Sequence, residues 1–458
     1  MKMATEKIIM EGLRYNDVSL IPMYSNIKVR DICLKVELTK DIKLNAPIIS
    51  SPMDTVTEAR MAIAIARQGG LGIIHSNMTI EEQKTEVDKV KRSEFGIIKN
   101  PISLSPNHYI SDALNLMASY RISGIPITEY DKLVGIITNR DLRFENNLNK
   151  KIYEVMTREN LITASEGVSL EEAREILTYH KIEKLPIVDE QGDLKGLITT
   201  KDISKSIEYP NSAKDKDGRL YVAAAVKIEE DMMERIEALV SSHVDIIAID
   251  TPHGHTELSI KSIKKIKEKF PNLPIISGNI CTAQAAEDLI EAGADVLRVG
   301  VGPGSMSMTY SISGVSMPQI TAVLECSEVA AKYGIAVIAD GGIKQNGDIA
   351  KAIASGASAA VLGSFLAGCD ECPGGVELFQ GVKYKKYRSV PHRVLGDELI
   401  KNENDIEMQE GRIAFKGAVR FVVSELLKGV KASMVYCGTE NIGSLQQNGK
   451  FVKVVGNQ

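Results

Sequence analysis

The chain has no tryptophan, only 5% aromatic residues, and six cysteines among 458 residues. Those cysteines, at 33, 281, 326, 369, 372 and 437, fall into no pairing framework. A chain long enough to bury large cores needs no disulfide scaffold, so a reducing, cytoplasmic setting is expected. Long apolar runs are missing as well. Nowhere do about 18 apolar residues follow one another, and the opening MKMATEKIIMEG lacks a signal peptide's apolar stretch. No membrane association is expected. There is no excess of positive charge either: 55 Lys+Arg face 60 Asp+Glu, a net charge of −5. That excludes a nucleic-acid binder relying on bulk cationic charge. The one long basic run, Lys261–Lys269, interleaves isoleucine at helical spacing and reads as a solvated helix face.

What the chain does have is 44% hydrophobic residues and 36 glycines, arranged as short apolar segments alternating with amphipathic ones. Eight segments read as strands: Pro47–Ser51, Leu71–His75, Leu220–Val226, Val244–Asp250, Pro274–Gly278, Asp295–Gly300, Ala336–Asp340 and Ala359–Gly363. They carry so few polar residues that burial on both faces is implied, as in a parallel sheet. Helical patterns such as Glu229–Ser241, Glu257–Phe270, Ala283–Ala292 and Asp348–Ala354 lie between them. Eight strand–helix units predict an α/β chain built as a (β/α)8 TIM barrel, with its active site at the C-terminal strand ends. A doubly wound open sheet is the rival, and the absence of a diphosphate-binding fingerprint after the first strand disfavours it.

Between the second and third strands lie about 145 residues, far too many for a βα connection. That stretch repeats itself. Ser123-Gly-Ile-Pro-Ile127 with Val134-Gly-Ile-Ile-Thr-Asn-Arg-Asp141 returns about 60 residues later as Lys184-Leu-Pro-Ile187 with Lys195-Gly-Leu-Ile-Thr-Thr-Lys-Asp202. Each unit has a helix (Ile110–Tyr120; Leu170–His180), a strand, a turn and a second strand. The expected domains are therefore a first barrel part (1–92), a tandem module (93–150 and 151–208) and a second barrel part (209–458).

The repeat resembles a tandem pair of CBS domains, a Bateman module. The resemblance implies that Thr138, Asp141, Thr199 and Asp202 contact the ribose and phosphates of adenine or guanine nucleotides. The same aspartates read equally as N-caps of the helices that follow. A barrel interrupted after its second strand by such a pair resembles the IMP dehydrogenase and GMP reductase family. The motifs that carry this resemblance run from Leu13-Arg-Tyr-Asn-Asp-Val-Ser-Leu-Ile-Pro22 through Ser51-Pro-Met-Asp-Thr-Val-Thr57, Asp250-Thr-Pro-His-Gly-His255 and Gly300-Val-Gly-Pro-Gly-Ser305 to Ala339-Asp-Gly-Gly-Ile343 and Glu410-Gly-Arg412.

Three glycine-bearing loops, Gly302-Pro-Gly-Ser305, Asp340-Gly-Gly342 and Gly363-Ser364, follow strands six to eight, where backbone N–H groups can approach a phosphate. The resemblance assigns the 5′-phosphate of IMP to Ser305, Gly342, Ser364 and Tyr387, with the ribose on Asp340 and Ser51, Gly363 and Glu407 completing the purine site. The basic run Lys383–Arg388 around Tyr387 biases that pocket positive. NAD is implied as cofactor, with Asp250 on the nicotinamide riboside, Asn279 near the nicotinamide and Arg298 supporting the active-site loop. Potassium is implied at the backbone carbonyls of Gly300, Gly302 and Ser307. A homotetramer, paired into octamers through the CBS modules, is the implied assembly. His253 and His255, at i and i+2 without a nearby Cys or Glu, read as polar loop residues rather than metal ligands.

The family reaction, IMP + NAD + water to XMP + NADH, uses a thiolate to attack C2 of the purine. Cysteine suits that task because an appreciable thiolate fraction exists near neutral pH. Its place, two residues after the Ser of Gly-Pro-Gly-Ser, is taken here by Ser307, and no Cys lies between 281 and 326. Thr309 of the same loop is retained. In the flap, Arg412 is kept while Phe415 stands where a tyrosine helps activate water, and a phenyl ring cannot take a proton. Arg388-Ser-Val-Pro-His-Arg393 replaces a Gly- and Met-rich segment. Three readings follow: the ordinary reaction with some compensation, chemistry on a different purine nucleotide, or a catalytically silent nucleotide-binding regulator.

Overall fold

Eight parallel strands close on themselves: β1 Ile48–Ser50, β2 Leu71–Ile74, β3 Val222–Val226, β4 Ile246–Asp250, β5 Ile275–Ile280, β6 Val296–Val299, β7 Ala336–Asp340 and β8 Ala359–Leu362. Their order around the barrel is β3-β4-β5-β6-β7-β8-β1-β2. The computed structural model describes residues 7–93, 98–99, 101–120, 122–302, 304, 310, 313–388 and 410–455. All eight expected segments are barrel strands. Those expected from Pro47, Pro274 and Asp295 start one residue late and those from Leu220 and Val244 two residues late; at the two prolines the missing N–H accounts for it.

A helix follows every strand: α1 Ala59–Arg67, α2 Ile80–Lys91, α3 Met232–Ser241, α4 Glu257–Lys269, α5 Ala283–Ala292, α6 Gln319–Tyr333, α7 Asn346–Ala354 and α8 Val419–Cys437. The starts of α2, α4 and α5 are set by Thr79, Thr256 and Thr282, whose hydroxyls accept from backbone N–H groups of the first turn. With side chains inside and helices outside, every residue of β1, β2, β3, β4, β6 and β8 is buried. That two-sided burial is why these strands show no polar alternation. Before α8 the chain forms a small antiparallel sheet, β9 Glu377–Phe379, β10 Val382–Arg388 and β11 Glu410–Ala414, in that order.

The chain divides into two compact units. The barrel unit is residues 1–93, 211–215 and 220–458; the other is 94–210 and 216–219. Within the barrel unit, the buried Lys91 ammonium at the end of α2 donates to Asp215 at 3.0 Å, Asp245 at 2.8 Å and the Leu220 carbonyl at 3.1 Å. It thereby ties together the residues on either side of the interruption. Burial pushes the Asp245 carboxyl up to about 6 even with Lys91 beside it.

The second unit has two separate apolar cores. One gathers Ile110, Met117, Ile125, Ile127, Ile137 and Ile152; the other gathers Leu177, Leu185, Ile187, Ile198 and Ile203. The repeats are not cut at 150/151 as the sequence suggests. Ile152 and Met156 pack on the first core, and the Thr157 N–H and C=O pair with Ile136. Conversely, Ile98–Lys99 completes the second repeat's sheet by pairing with Gly196 and Leu197. The second module takes an edge strand, and the first a two-bond bridge at Thr157, from outside its own repeat, which leaves fewer exposed N–H and C=O groups. Among the described residues, no helix is long and apolar enough to cross a membrane.

Candidate functional site

Four neighbouring strands each bring one polar side chain to the C-terminal end of the barrel: Asp250 ends β4, Asn279 lies at the end of β5, Arg298 is in β6, and Asp340 ends β7. Arg298 is the hub. Its Nη1 donates to Asp250 Oδ1 at 2.7 Å, while its Nε and Nη2 reach Asp340 Oδ2 at 2.9 and 2.7 Å. Asn279 Nδ2 adds 2.8 Å to the same Asp340 oxygen and 2.7 Å to the Gly300 carbonyl. Burial alone would push the Arg298 guanidinium down; Asp340 and Asp250 outweigh it and leave its pKa above the ordinary value.

The arrangement leaves one group over. Asp340 Oδ2 is saturated by Arg298 and Asn279, whereas Asp340 Oδ1 has no partner among the described residues. A rigidly held carboxylate with one open oxygen is an acceptor for a hydroxyl pair. Among these four side chains one cation stands between two carboxylates. Gly300 explains how the backbone passes so close. Its φ is +150°, and a Cβ there would come within 1.9 Å of the Asp340 carbonyl oxygen. Gln319, the first residue of α6, spans the same corner by donating to the Val299 and Asp340 carbonyls at 2.8 and 3.1 Å.

Toward β8 and β1 the lining changes. Gly342 is left-handed at φ +76°. The buried Tyr387 on β10 turns its hydroxyl to Met53 Sδ at 3.6 Å. At Gly363 a Cβ would stand 3.0 Å from the Tyr387 hydroxyl, 3.2 Å from Met53 Sδ and 3.8 Å from Ser51 Cβ. Ser51, Gly363 and Tyr387 are thus brought together, and only glycine leaves the hydroxyl room. The Ser364 carbonyl accepts from Lys416 Nζ at 3.1 Å, which places an ammonium beside this loop.

Sequence reasoning missed a cluster of three residues here, Arg388, Asp54 and Asn77. Arg388, next to Tyr387, forms a two-pronged pair with Asp54 of the β1 loop, and Asn77 from the β2 loop donates to the same carboxylate. Only their spatial pairing, across more than three hundred residues, reveals them.

Other expected residues lie apart. Arg412 stacks on Phe379 at 4.3 Å from the ring centroid, faces Glu377 at 3.7 Å, and helps line a cavity of about 560 Å3 on the small sheet. Among the described residues no hydrogen bond, ion pair or ring contact joins Arg412 or Phe415 to the Arg298 network. His255 pairs with Asp288 at 2.7 Å, and the described residues contain no metal-binding cluster. Ser305, Ser307, Thr309 and Glu407 lie outside the described residues, as does the segment 389–393. Burial raises the thiol pKa of Cys281, Cys326, Cys369, Cys372 and Cys437. The sixth, Cys33, is exposed, and its backbone pairs with Asn441.

In the second unit the helix caps are Thr138 and Thr199 rather than the aspartates. Asp141 and Asp202 stand three residues on, and the Thr138 and Thr199 hydroxyls donate to them at 2.7 and 2.5 Å. Lys184, buried at the start of its strand, packs so closely on the first repeat that a Cβ on Gly124 would come within 2.8 Å of its Cε. Burial lowers its pKa.

Known proteins share this architecture from end to end. The inosine-5′-monophosphate dehydrogenases of Halalkalibacterium halodurans and Bacillus subtilis are 52% and 53% identical to it, over 97% and 98% of this chain and 94% of their own lengths. A crystal structure of Trypanosoma brucei GMP reductase, a cysteine-to-alanine variant in complex with guanosine 5′-monophosphate, superposes with a TM-score of 0.87 at 36% identity, covering 99% of this chain and 97% of that one. The same enzyme with guanosine 5′-triphosphate gives 0.81 at 33% identity, covering 99% and 100%. Residues 12–457 match the IMP dehydrogenase / GMP reductase domain, and the chain belongs to that family.

Proposed function

We propose that the barrel binds a purine nucleoside 5′-monophosphate of the IMP type together with NAD, and that its oxidation of IMP to XMP is severely impaired. The observation that carries the binding half is the open Oδ1 of Asp340, held in place by Arg298 and Asn279 as a ribose acceptor. Gly342, Gly363, Ser364 and Tyr387 then take the phosphate, with Ser305 and Glu407 as further contacts. Asp250 suits the nicotinamide riboside, since Arg298 fixes a carboxylate that only accepts hydrogen bonds. NAD supplies a hydride acceptor when bound. Gly300 and Gly302, with backbones turned to positive φ, and Ser307 would offer carbonyls to potassium.

The impairment rests on two residues. Ser307 is a hydroxyl without thiolate character, and Phe415 cannot shuttle a proton. Five of the six thiols are made less acidic by burial, which disfavours the attacking anion. Binding survives such losses in principle, as the GMP-bound cysteine-to-alanine GMP reductase illustrates. Identity of about half to IMP dehydrogenases, against about a third to GMP reductase, favours IMP over GMP as the ligand.

The repeated unit is a CBS pair in this reading, with Thr138, Asp141, Thr199 and Asp202 at adenine- or guanine-nucleotide seats, and the barrels assemble as a homotetramer. Calorimetric titration tests the binding half. IMP is expected to bind at micromolar to millimolar strength, and no heat of binding for IMP, XMP or GMP overturns it.

A further inference from the structure

The Tyr387 hydroxyl is not held by its own strand. The chain that carries it, β10, is fastened to the loop after β1 by the next residue. Arg388 Nε lies 3.2 and 3.0 Å from the two Asp54 oxygens and Nη2 lies 2.5 Å from one of them. The Asp54 side chain is only 5% exposed, whereas Arg388 is 35% exposed, so the carboxylate end of this two-pronged pair is the shielded one. Thr55 reinforces it on the main chain. Its hydroxyl accepts from the Arg388 N–H at 3.3 Å and faces the Arg388 carbonyl at 3.5 Å. The same loop supplies Ser51 and Met53, the neighbours of the Tyr387 hydroxyl across Gly363. Asn77, from the loop after β2, donates at 2.8 Å to Asp54 Oδ2, the oxygen that Arg388 Nη2 also contacts.

Besides its ladders to β9 and β11, β10 is thus tied at Arg388 to the β1 loop, whose Met53 lies against the Tyr387 hydroxyl. We propose that Asp54 and Arg388 form a latch that positions the Tyr387 hydroxyl at the phosphate seat, so that the pair governs affinity for the 5′-phosphate of the nucleotide without touching the nucleotide itself. This rests on the purine-monophosphate reading above. A bidentate fork is needed because one point contact lets β10 swivel, and a small swivel removes a hydroxyl from hydrogen-bonding range.

The test is calorimetry on the full chain with IMP and with inosine, which lacks the phosphate. Asp54→Asn and Arg388→Lys are each expected to weaken IMP about tenfold, the share of one charge-assisted hydrogen bond, while leaving inosine unchanged. Tyr387→Phe is expected to do the same, and Asp54→Asn combined with Tyr387→Phe no more than Tyr387→Phe alone. Asp54→Glu, which keeps the carboxylate, should restore part of the loss. Equal losses for IMP and inosine would reveal a merely structural pair and overturn the latch. So would unchanged IMP affinity in the variants, or additive losses in the double variant. Wild-type protein that binds inosine but gains nothing from the phosphate would instead overturn the phosphate seat, and the latch with it. Circular dichroism and melting of each variant confirm that the comparison is between folded chains.

Discussion

Replacing Arg298 by methionine isolates the electrostatics of the strand-end network. The guanidinium makes three contacts of 2.7–2.9 Å with two carboxylates whose side chains are 9% and 16% exposed. Methionine fills a similar volume but removes the cation that bridges Asp250 and Asp340. Breaking a buried pair in this way costs about 3–5 kcal/mol. Asp340 keeps the hydrogen bond from Asn279 and some exposure, whereas Asp250 is nearly enclosed, so about 4 kcal/mol is expected at pH 8. The sign of the pH effect follows directly. Without Arg298 the two carboxylates hold protons more tightly in the folded barrel than in the unfolded chain, and stability is lost as pH rises. At pH 5 the deficit should shrink to about half, because the pair can share a proton. Denaturant unfolding of the barrel at pH 5 and pH 8 reads both numbers, and Arg298→Lys, a point charge without the fork, should fall between. A loss below about 1 kcal/mol, or the same loss at both pH values, refutes the network as described.

Two further outcomes rest on other parts of the barrel. Lys91→Met should cost about 3–5 kcal/mol at pH 8 by removing the cation from the largely enclosed Asp245. Because the Asp245 carboxyl already sits at about 6 against 3.8, its contribution to stability declines as pH rises between those values, and the variant should extend that decline to higher pH. Melting curves from pH 4 to pH 8 check the shape. Gly300→Ala places a methyl 1.9 Å from the Asp340 carbonyl oxygen at φ +150°, so the Asp340 strand end must shift. Calorimetry should then show IMP binding reduced at least tenfold, with the fold retained by circular dichroism.

The barrel was legible because burial on both faces leaves few polar residues in any strand, and eight such segments admit few architectures. The repeat was legible for the same reason that its boundary was not. Periodicity locates Gly135 and Gly196, but which module Ile98 or Thr157 pairs with is a tertiary matter. At the site, glycine-bearing loops and strand-end carboxylates stood out locally. Arg298 looked like loop support and proved to be the bridge between Asp250 and Asp340, since a lone arginine in an apolar strand does not name its partners. Asp54 and Arg388 were invisible as a pair, and Arg412 was placed by motif whereas its contacts lie on the small sheet with Phe379 and Glu377.

The proposal of a purine-nucleotide seat with Ser307 at the nucleophile's position makes one sharp demand. Initial NADH formation from saturating IMP and NAD should be recorded for the wild-type chain that has been shown to bind IMP. The rate is expected to lie at least about a thousandfold below an ordinary turnover of about 1 per second, with Ser307→Cys raising it. Wild-type turnover of about 1 per second or faster would contradict the account outright.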